Sequence, residues 1–317
     1  MPHSDQHRWR VVLAFALVYL FWGSTYLGIG VAVKYVPPYV MTGTRFLIAG
    51  VAMLAYCAWS GRRITISGIQ LLKLAVIGFL LLTLANTLLA WAEETLPTGL
   101  SALIVAITPL WFLVVDSFVF RGDRVSRRGY FGLLLGILGI AVLLWPKLGS
   151  VNALEHRQFY AALVLLFGSL CWSFGSALSK RWQTGIDPFS ASGWEMALAG
   201  AMNLLIAGAL GEYPHAHWTP HAMAAVGYLI VFGSWVGFSA FIWLLQHVSM
   251  SKVATYAYVN PIVAVFLGWI FLHERVDAFI AAGSTIIFIS VALVTGAKVS
   301  KRQAAEQQLA AVDVATD

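Results

Sequence analysis

Charged residues are scarce in this sequence. Its 317 residues include 20 Lys and Arg and 14 Asp and Glu, which together make up 11% of the chain. Soluble domains contain about 25% charged residues, so this scarcity excludes an ordinary soluble enzyme. The only two cysteines, Cys57 and Cys171, both lie in apolar runs, which excludes a disulfide framework. Hydrophobic residues make up 60% of the chain and favour a membrane protein.

Sequence motifs for nucleotide or metal binding are also missing. The chain has no HExxH, no Walker A loop and no EF-hand loop. His215, His217 and His221 lie in one connecting segment without acidic companions, a pattern typical of solvated side chains. We therefore expect no catalytic residues, no metal site and no cofactor, and we expect that the protein is not an enzyme.

Long apolar runs predict that the chain crosses a membrane ten times. A helix needs about 20 mostly apolar residues to span the bilayer. Runs of that kind occur at 11–33, 39–59, 71–91, 97–120, 130–145, 160–179, 189–211, 222–245, 253–272 and 278–297. The connections are too short for an inserted soluble domain. Residues 300–317, rich in Ala, Gln and charge, are predicted to form a disordered cytoplasmic tail.

Basic residues are distributed unevenly among the connections. If the N-terminus lies in the cytoplasm, most Lys and Arg, such as Arg62 and Arg63, fall in cytoplasmic segments. This asymmetry predicts that both termini are cytoplasmic. It also accounts for the net charge of +6, so we expect no nucleic-acid partner.

The two halves of the chain resemble each other. Residues that align between them include Trp22 with Trp172, Pro38 with Pro188, Arg45 with Glu195, and Pro109 with Pro261. We predict two domains of five helices each, at residues 11–145 and 160–297. Because five is odd, the second repeat starts on the opposite side of the membrane. The predicted fold is an all-α polytopic membrane protein with ten transmembrane helices, arranged as two inverted five-helix repeats around a central cavity.

Several motifs resemble those of a known family. They are Phe21–Tyr26, Pro37-Pro38, Arg45-Phe46, Glu195-Met196, and Ala254–Pro261 followed by Glu274. They are similar to motifs of EamA-type members of the drug/metabolite transporter superfamily, and the likeness covers about residues 11–297. The resemblance implies a multi-pass protein of the bacterial inner membrane that exports amino acids, metabolites or toxic organic solutes.

Two of the charges inside the predicted spans occupy equivalent positions in the two repeats. Arg45 and Glu195 each lie six residues into a span, and inversion separates them by roughly 10 Å along the membrane normal. Charges inside a membrane are costly and usually functional. Arg45 is a candidate for binding a substrate carboxylate, and Glu195 for an ammonium group or a coupling proton. The alternative is that each pairs structurally with nearby polar groups.

Aromatic and polar side chains supply the other candidate substrate contacts. Tyr19, Trp22 and Tyr26 share one face of the first span, and Trp172 is the repeat partner of Trp22. Such a face either packs or forms a cavity wall that binds aromatic or cationic solutes. A polar cluster before Pro261 contacts either substrate or neighbouring helices. Its members are Thr255, Tyr256, Tyr258 and Asn260.

Other residues are candidates for gating. Gly23, Pro109 and Pro261 are predicted hinges, because glycine and proline weaken a helix and free backbone carbonyls. On the third span, Asn86 is predicted to be buried in the bundle and is a further candidate substrate contact. Glu93 on the same face is predicted at the outer rim, where its carboxylate either attracts cations or caps the end of the helix. Glycines spaced along the fifth span, including Gly136 and Gly139, indicate close packing either within the bundle or between two copies.

These observations predict a secondary, alternating-access transporter that exports amino acids or related small organic metabolites. Drug efflux of aromatic or cationic compounds is the alternative, and a channel or a non-transporting membrane sensor is the alternative from another class. The expected partners are a small-molecule substrate, the lipid bilayer and, as a candidate, a proton. The sequence leaves open whether the protein is a monomer or a homodimer.

Overall fold

The fold of the chain is given by a computed structural model, which describes residues 2–120, 127–148, 153–182, 184–248, 250–253 and 255–293. Within these ranges, eight helices are long and apolar enough to cross a membrane, and two further apolar helices are shorter. They are α1 Trp9–Ala32, α2 Pro38–Trp59, α3 Gly68–Ala92, α4 Thr98–Val119, α5 Arg127–Pro146, α6 Ala153–Arg181, α7 Pro188–Leu210, α8 Pro220–His247, α9 Tyr256–Leu272 and α10 Ala278–Leu293. The predicted ten-helix, all-α fold is confirmed, and the predicted tail at 300–317 lies outside the described residues.

Proline residues in the first turn and one carboxylate group stabilise the starts of several helices. Three helices have proline in their first turn, where its missing N–H costs nothing: Pro38, Pro188 and Pro220. At α2, Glu212 from the loop after α7 accepts hydrogen bonds from the backbone N–H groups of Tyr39 and Val40, at 3.0 and 3.1 Å. A carboxylate of the second repeat thus stabilises the start of a helix in the first.

The second helices of the two repeats, α2 and α7, pack directly against each other. A Cβ atom built on Gly50 would lie 2.3 Å from the backbone nitrogen of Ala197. A Cβ built on Gly200 would lie 2.2 Å from the backbone nitrogen of Leu47. Gly50 and Gly200 are equivalent positions of the sequence repeat, so the contact is the same from both sides. The absence of a side chain at both glycines lets the two backbones touch at the centre of the molecule.

The glycines of α5 pack inside the bundle. A Cβ on Gly136 would lie 2.1 Å from a methyl group of Leu110 in α4, and one on Gly139 would lie 2.7 Å from Ile287 in α10. Of the two arrangements that the sequence allowed for this glycine face, the structure therefore shows packing within one chain.

Irregular turns interrupt several helices. Within the described residues, π-helical segments occur at Val18–Trp22 in α1, Phe79–Asn86 in α3, Val115–Val119 in α4 and Leu229–Phe238 in α8. Segments of this kind are frequent at functional sites. In α4 the regular helix also stops at Val105 and resumes at Thr108, with Pro109 in the first turn of its second half. Pro261 lies inside α9.

Candidate functional site

The bundle contains a cavity with a volume of about 80 Å³. Its walls come from α1, α2, α3, α4, α6, α8 and α9. This volume leaves room for several waters or for one small solute. Seven of the predicted substrate-binding residues line it: Trp22, Tyr26, Arg45, Asn86, Trp172, Tyr256 and Asn260. Residues from both repeats therefore meet around one space.

The π-helical segments supply part of the cavity wall. Trp22 lies in the segment of α1, Leu82 and Asn86 lie in that of α3, and Gly233 and Phe238 lie in that of α8. An extra residue in a turn changes the direction in which the following side chains point. The irregular turns therefore help to decide which side chains reach the cavity.

Arg45 is the charged residue of the cavity lining. Its side chain is buried, with 3% exposure. Its Nε donates a hydrogen bond to Ser234 Oγ at 2.9 Å, and Nη1 donates to Asn86 Oδ1 at 3.4 Å. Its guanidinium carbon lies 4.7 Å from the centroid of the Phe46 ring. In the part of the chain that the structure describes, no carboxylate forms an ion pair with Arg45, so its charge faces the cavity with neutral partners only.

Gly233 provides the space that the guanidinium occupies. A Cβ built on Gly233 would lie 2.8 Å from Arg45 Nη2 and 2.8 Å from the methyl carbon of Thr25. The backbone carbonyl of Gly233 also accepts a hydrogen bond from Trp22 Nε1 at 3.1 Å. One glycine of α8 thus positions two candidate substrate contacts, one from α1 and one from α2.

We expect Gly233→Ala to displace the Arg45 guanidinium and to weaken substrate binding. Because a shift of about 1 Å in a positioning group can cost about 100-fold in activity, half-saturation of transport should need clearly more substrate. Transport kinetics in proteoliposomes would measure this effect. Gly227→Ala is the matched control, because a Cβ on Gly227 meets no atom within 4 Å. Equal kinetics in the two variants would contradict the positioning role.

Aromatic rings from three other helices pack around Trp22 of α1. Its ring centroid lies 5.3 Å from that of Trp172 and 5.5 Å from that of Tyr256, and both pairs are edge to face. Phe241 of α8 completes the cluster at 4.8 Å from Trp22. Trp22 and Trp172 therefore pack together and also line the cavity, as does Tyr256 of the predicted polar cluster. Binding of aromatic or cationic solutes to these rings stays a prediction.

Hydrogen bonds connect both ends of α9 to other helices. Tyr19 and Thr255 share a hydrogen bond of 2.6 Å between α1 and the start of α9. Beyond the end of α9, Glu274 accepts hydrogen bonds from the backbone N–H of Thr98 at 2.6 Å, its hydroxyl at 2.8 Å, and the N–H of Gly99 at 3.0 Å. Tyr19 and Thr255 thus form a bridge and do not line the cavity.

The remaining predicted residues lie elsewhere. Glu195 is buried but is not a cavity-lining residue: its backbone packs against Gly78 of α3, whose Cβ would lie 2.7 Å from the Glu195 carbonyl oxygen. Gly23 is a packing position, because a Cβ there would lie 2.6 Å from Val263 Cβ in α9. The side chain of Tyr258 falls outside what the structure describes. The transport and hinge roles suggested for these residues stay predictions.

Glu93 was predicted at the outer rim, and the structure shows that its side chain is buried. The suggested roles in attracting cations or capping the helix end stay predictions. The side chain is 6% exposed and lies in the turn between α3 and α4. The sequence could not show this, because burial there comes from Gly30 of α1 and from Thr98, which is held by Glu274 of the other repeat.

Sequence reasoning missed several lining residues. Some are apolar or small, so nothing in their chemistry marks them; Leu82, Ala85 and Gly168 are examples. Others had a positional signal. Leu165 and Ser169 share a helical face with Trp172 in α6, so the same spacing argument that was applied to α1 would have identified them.

Comparisons with known proteins agree with this architecture. The model of the EamA-like transporter family matches residues 9–145 and 159–296. The uncharacterized inner membrane transporter YedA of Escherichia coli (strain K12) is 35% identical over 282 residues, covering 89% of each chain. The uncharacterized transporter YvbV of Bacillus subtilis (strain 168) is 27% identical over 307 residues, covering 93% of this chain and 95% of that protein. A crystal structure with 20% identity and a TM-score of 0.67 covers 92% of this chain and 98% of its own, and it shares the fold.

Proposed function

The chain belongs to the EamA-like transporter family, and from this premise we propose that it exports amino acids or related small organic carboxylates. The family resemblance predicted from the motifs is confirmed, and the family and the two bacterial relatives named above are transporters, not enzymes. We further propose that the protein lies in the inner membrane with both termini in the cytoplasm. In this orientation the turn between α3 and α4 lies on the outer side, which is the side of the membrane opposite the cytoplasm.

The observation that supports a carboxylate substrate is the charge of the cavity. Among the described lining residues Arg45 alone is charged, and it has neutral hydrogen-bond partners. A buried charge is costly unless an opposite charge pairs with it. The planar guanidinium matches a carboxylate with two parallel hydrogen bonds. A substrate carboxylate would therefore supply the missing partner.

The rest of the cavity suits the other groups of an amino acid. Asn260 Oδ1 is buried and has no hydrogen-bond partner among the residues described, so it can accept from an ammonium group. The ring faces of Trp22 and Trp172 attract a cation and pack against an apolar side chain. Because the cavity holds only a few water volumes, we expect small solutes to fit best.

Alternating access requires contacts that open on each side in turn. In our proposal the bridge from Tyr19 to Thr255 closes the cytoplasmic side, and the contact from Glu274 to Thr98 closes the outer side. Both involve α9 or the loop that follows it, so a shift of this helix against α1 and α4 would open one contact at a time. Pro109 and Pro261 remain the proposed hinges.

A counterflow assay in proteoliposomes tests the proposed substrate class. We expect exchange of amino acids, and little exchange of the amines that result from removing the carboxyl group. The expected difference is at least about tenfold, which corresponds to 1.4 kcal/mol. Counterflow also separates a carrier from a channel, because only a carrier couples the two fluxes. Equal exchange of acid and amine would contradict the role proposed for Arg45.

Drug efflux is the second candidate, and the aromatic cluster around Trp22 is the observation that favours it. Aromatic cations bind readily to such rings. The single positive charge in the lining opposes them, because like charges repel at short range. Exchange of aromatic cations without exchange of carboxylates would favour this second function.

A further inference from the structure

A carboxyl group without partners is buried at the outer side of the bundle. Both oxygens of Glu93 are buried and accept no hydrogen bond from the described residues. No Lys, Arg or His of those residues forms an ion pair with it. An ionised carboxylate in such surroundings would cost several kcal/mol, so the neutral acid is favoured.

Glu93 neighbours two residues that line the cavity, Leu89 and Tyr26. Glu93 lies one helical turn beyond Leu89, which lines the cavity. Its Oε2 also lies near Gly30 of α1: a Cβ built there would lie 3.6 Å from Glu93 Oε2 and 2.5 Å from the methyl group of Thr98. Glu93 therefore sits between the cavity and the contact that ties α4 to the loop after α9.

The groups around Glu93 oppose a negative charge. The titratable side chains facing it are Tyr26 of α1 and Glu274 of the loop after α9. The N–H groups at the start of α4 that could stabilise a carboxylate already donate to Glu274. Glu93 also follows the C-terminal end of α3, where the helix dipole disfavours negative charge. Burial, followed by the charge of Glu274, raises the pKa of Glu93 well above its usual range.

We propose that Glu93 is a proton-binding site that controls opening of the outer side. With a proton bound, the neutral carboxyl packs beside Glu274 and the outer contact stays closed. When the proton leaves, a second negative charge appears next to Glu274, and the outer contact is weakened. A raised pKa places this change at higher pH, so acid favours the closed outer side and alkali favours its opening.

This inference rests on the proposed export function, for which it supplies a coupling ion. A proton binds the Glu93 carboxylate when the outer side is open, and the outer contact then closes. In the inward-facing state the proton leaves through the cavity as substrate binds. Exchange of one proton for one substrate would accumulate substrate about tenfold for each unit of pH difference.

Distances between spin labels test the conformational part of the proposal without any substrate. The labels are placed at Lys34 and Val276, two exposed positions on the outer side, after replacement of the two buried cysteines. In the otherwise unchanged protein, the distance should increase as the pH is raised. Glu93→Gln should remove this response, Glu93→Asp should retain it, and Glu94→Gln is the matched control at the exposed neighbouring carboxylate. The same response in Glu93→Gln would overturn the proposal.

Transport assays test the coupling. In Glu93→Gln, the permanently neutral side chain should keep the outer contact closed at every pH, so counterflow at equal pH on both sides should be slow and independent of pH, and accumulation driven by a pH gradient should be lost. Loss of gradient-driven accumulation in Glu195→Gln, with retention in Glu93→Gln, would assign the proton to Glu195 instead. Counterflow in the wild type without any gradient-driven accumulation would overturn the proton site and leave the proposed transport intact. If the wild type exchanged no carboxylate at all, the proposed function itself would fail.

Discussion

Arg45→Ala is expected to abolish transport of carboxylate substrates while leaving a folded, inserted protein. The guanidinium is buried in the cavity and its hydrogen-bond partners, Ser234 and Asn86, are neutral. Removing one member of a buried charge pair costs about 2–5 kcal/mol, so counterflow at low substrate concentration should fall by at least about 30-fold. Initial rates of counterflow for an amino acid and for its decarboxylated amine would measure this loss.

Two further variants show whether the effect belongs to the cavity. Arg45→Lys keeps the positive charge but cannot donate two parallel hydrogen bonds to a carboxylate, so an intermediate rate of counterflow is expected. Arg62→Ala is the control, because Arg62 does not line the cavity and its 2.8 Å ion pair with Asp187 is partly exposed. An exposed ion pair contributes about 0–1 kcal/mol, so this variant should transport nearly as the wild type does. Unchanged carboxylate counterflow in Arg45→Ala would refute the proposed contact.

Gly200→Ala is expected to prevent normal packing of α2 against α7. The new Cβ would lie 2.2 Å from the backbone nitrogen of Leu47 and 2.8 Å from the carbonyl carbon of Phe46. Backbone atoms cannot rotate away as a side-chain end can, so the cost should reach about 3 kcal/mol or more. The yield of monodisperse protein in detergent and its melting temperature would both fall.

The repeat supplies a matched pair for this test. Gly50→Ala places a Cβ 2.3 Å from the backbone nitrogen of Ala197 and should have a similar effect. Gly227→Ala is the same chemical change in α8, where no atom lies within 4 Å of the new Cβ. There it should stabilise the helix by about 0.4–1 kcal/mol. Equal melting temperatures for Gly200→Ala and Gly227→Ala would contradict this prediction, because they would mean that α2 and α7 leave room for a side chain at position 200.

Much of the fold could be predicted because membrane helices are specified by local composition. A span must be apolar over its whole length, since the bilayer offers no partner for backbone or side-chain polar groups. The runs from 39–59 and 189–211 therefore correspond to α2 and α7, and each end agrees to within one residue. Helix α6 agreed least well, because it begins at Ala153, before the predicted start at residue 160. Its first turns carry polar and charged residues, such as Glu155 and Arg157, which a search for apolar runs leaves out.

Prediction of the candidate site was less complete. Arg45 and Trp22 were identified because charge and large polar-tipped aromatics are unusual inside a span, and both line the cavity. Glu195 met the same criterion and does not line it, because its depth in the membrane says nothing about which neighbour it faces. Gly233 gave no chemical signal, since its role is to leave space for the guanidinium.

The amino-acid sequence by itself determined the number of helices, the repeat and the scarcity of charge, because each of these depends on residue type and order alone. Only the tertiary structure decided which charged side chains line the cavity and which are buried elsewhere. The π-helical segments rotate side chains away from regular spacing, and the contacts of Glu274 with Thr98 and of Gly30 with Glu93 join residues from separate helices. For that reason Arg45 is found in the cavity, and Glu93, predicted at the outer rim, is a buried carboxyl in the turn between α3 and α4.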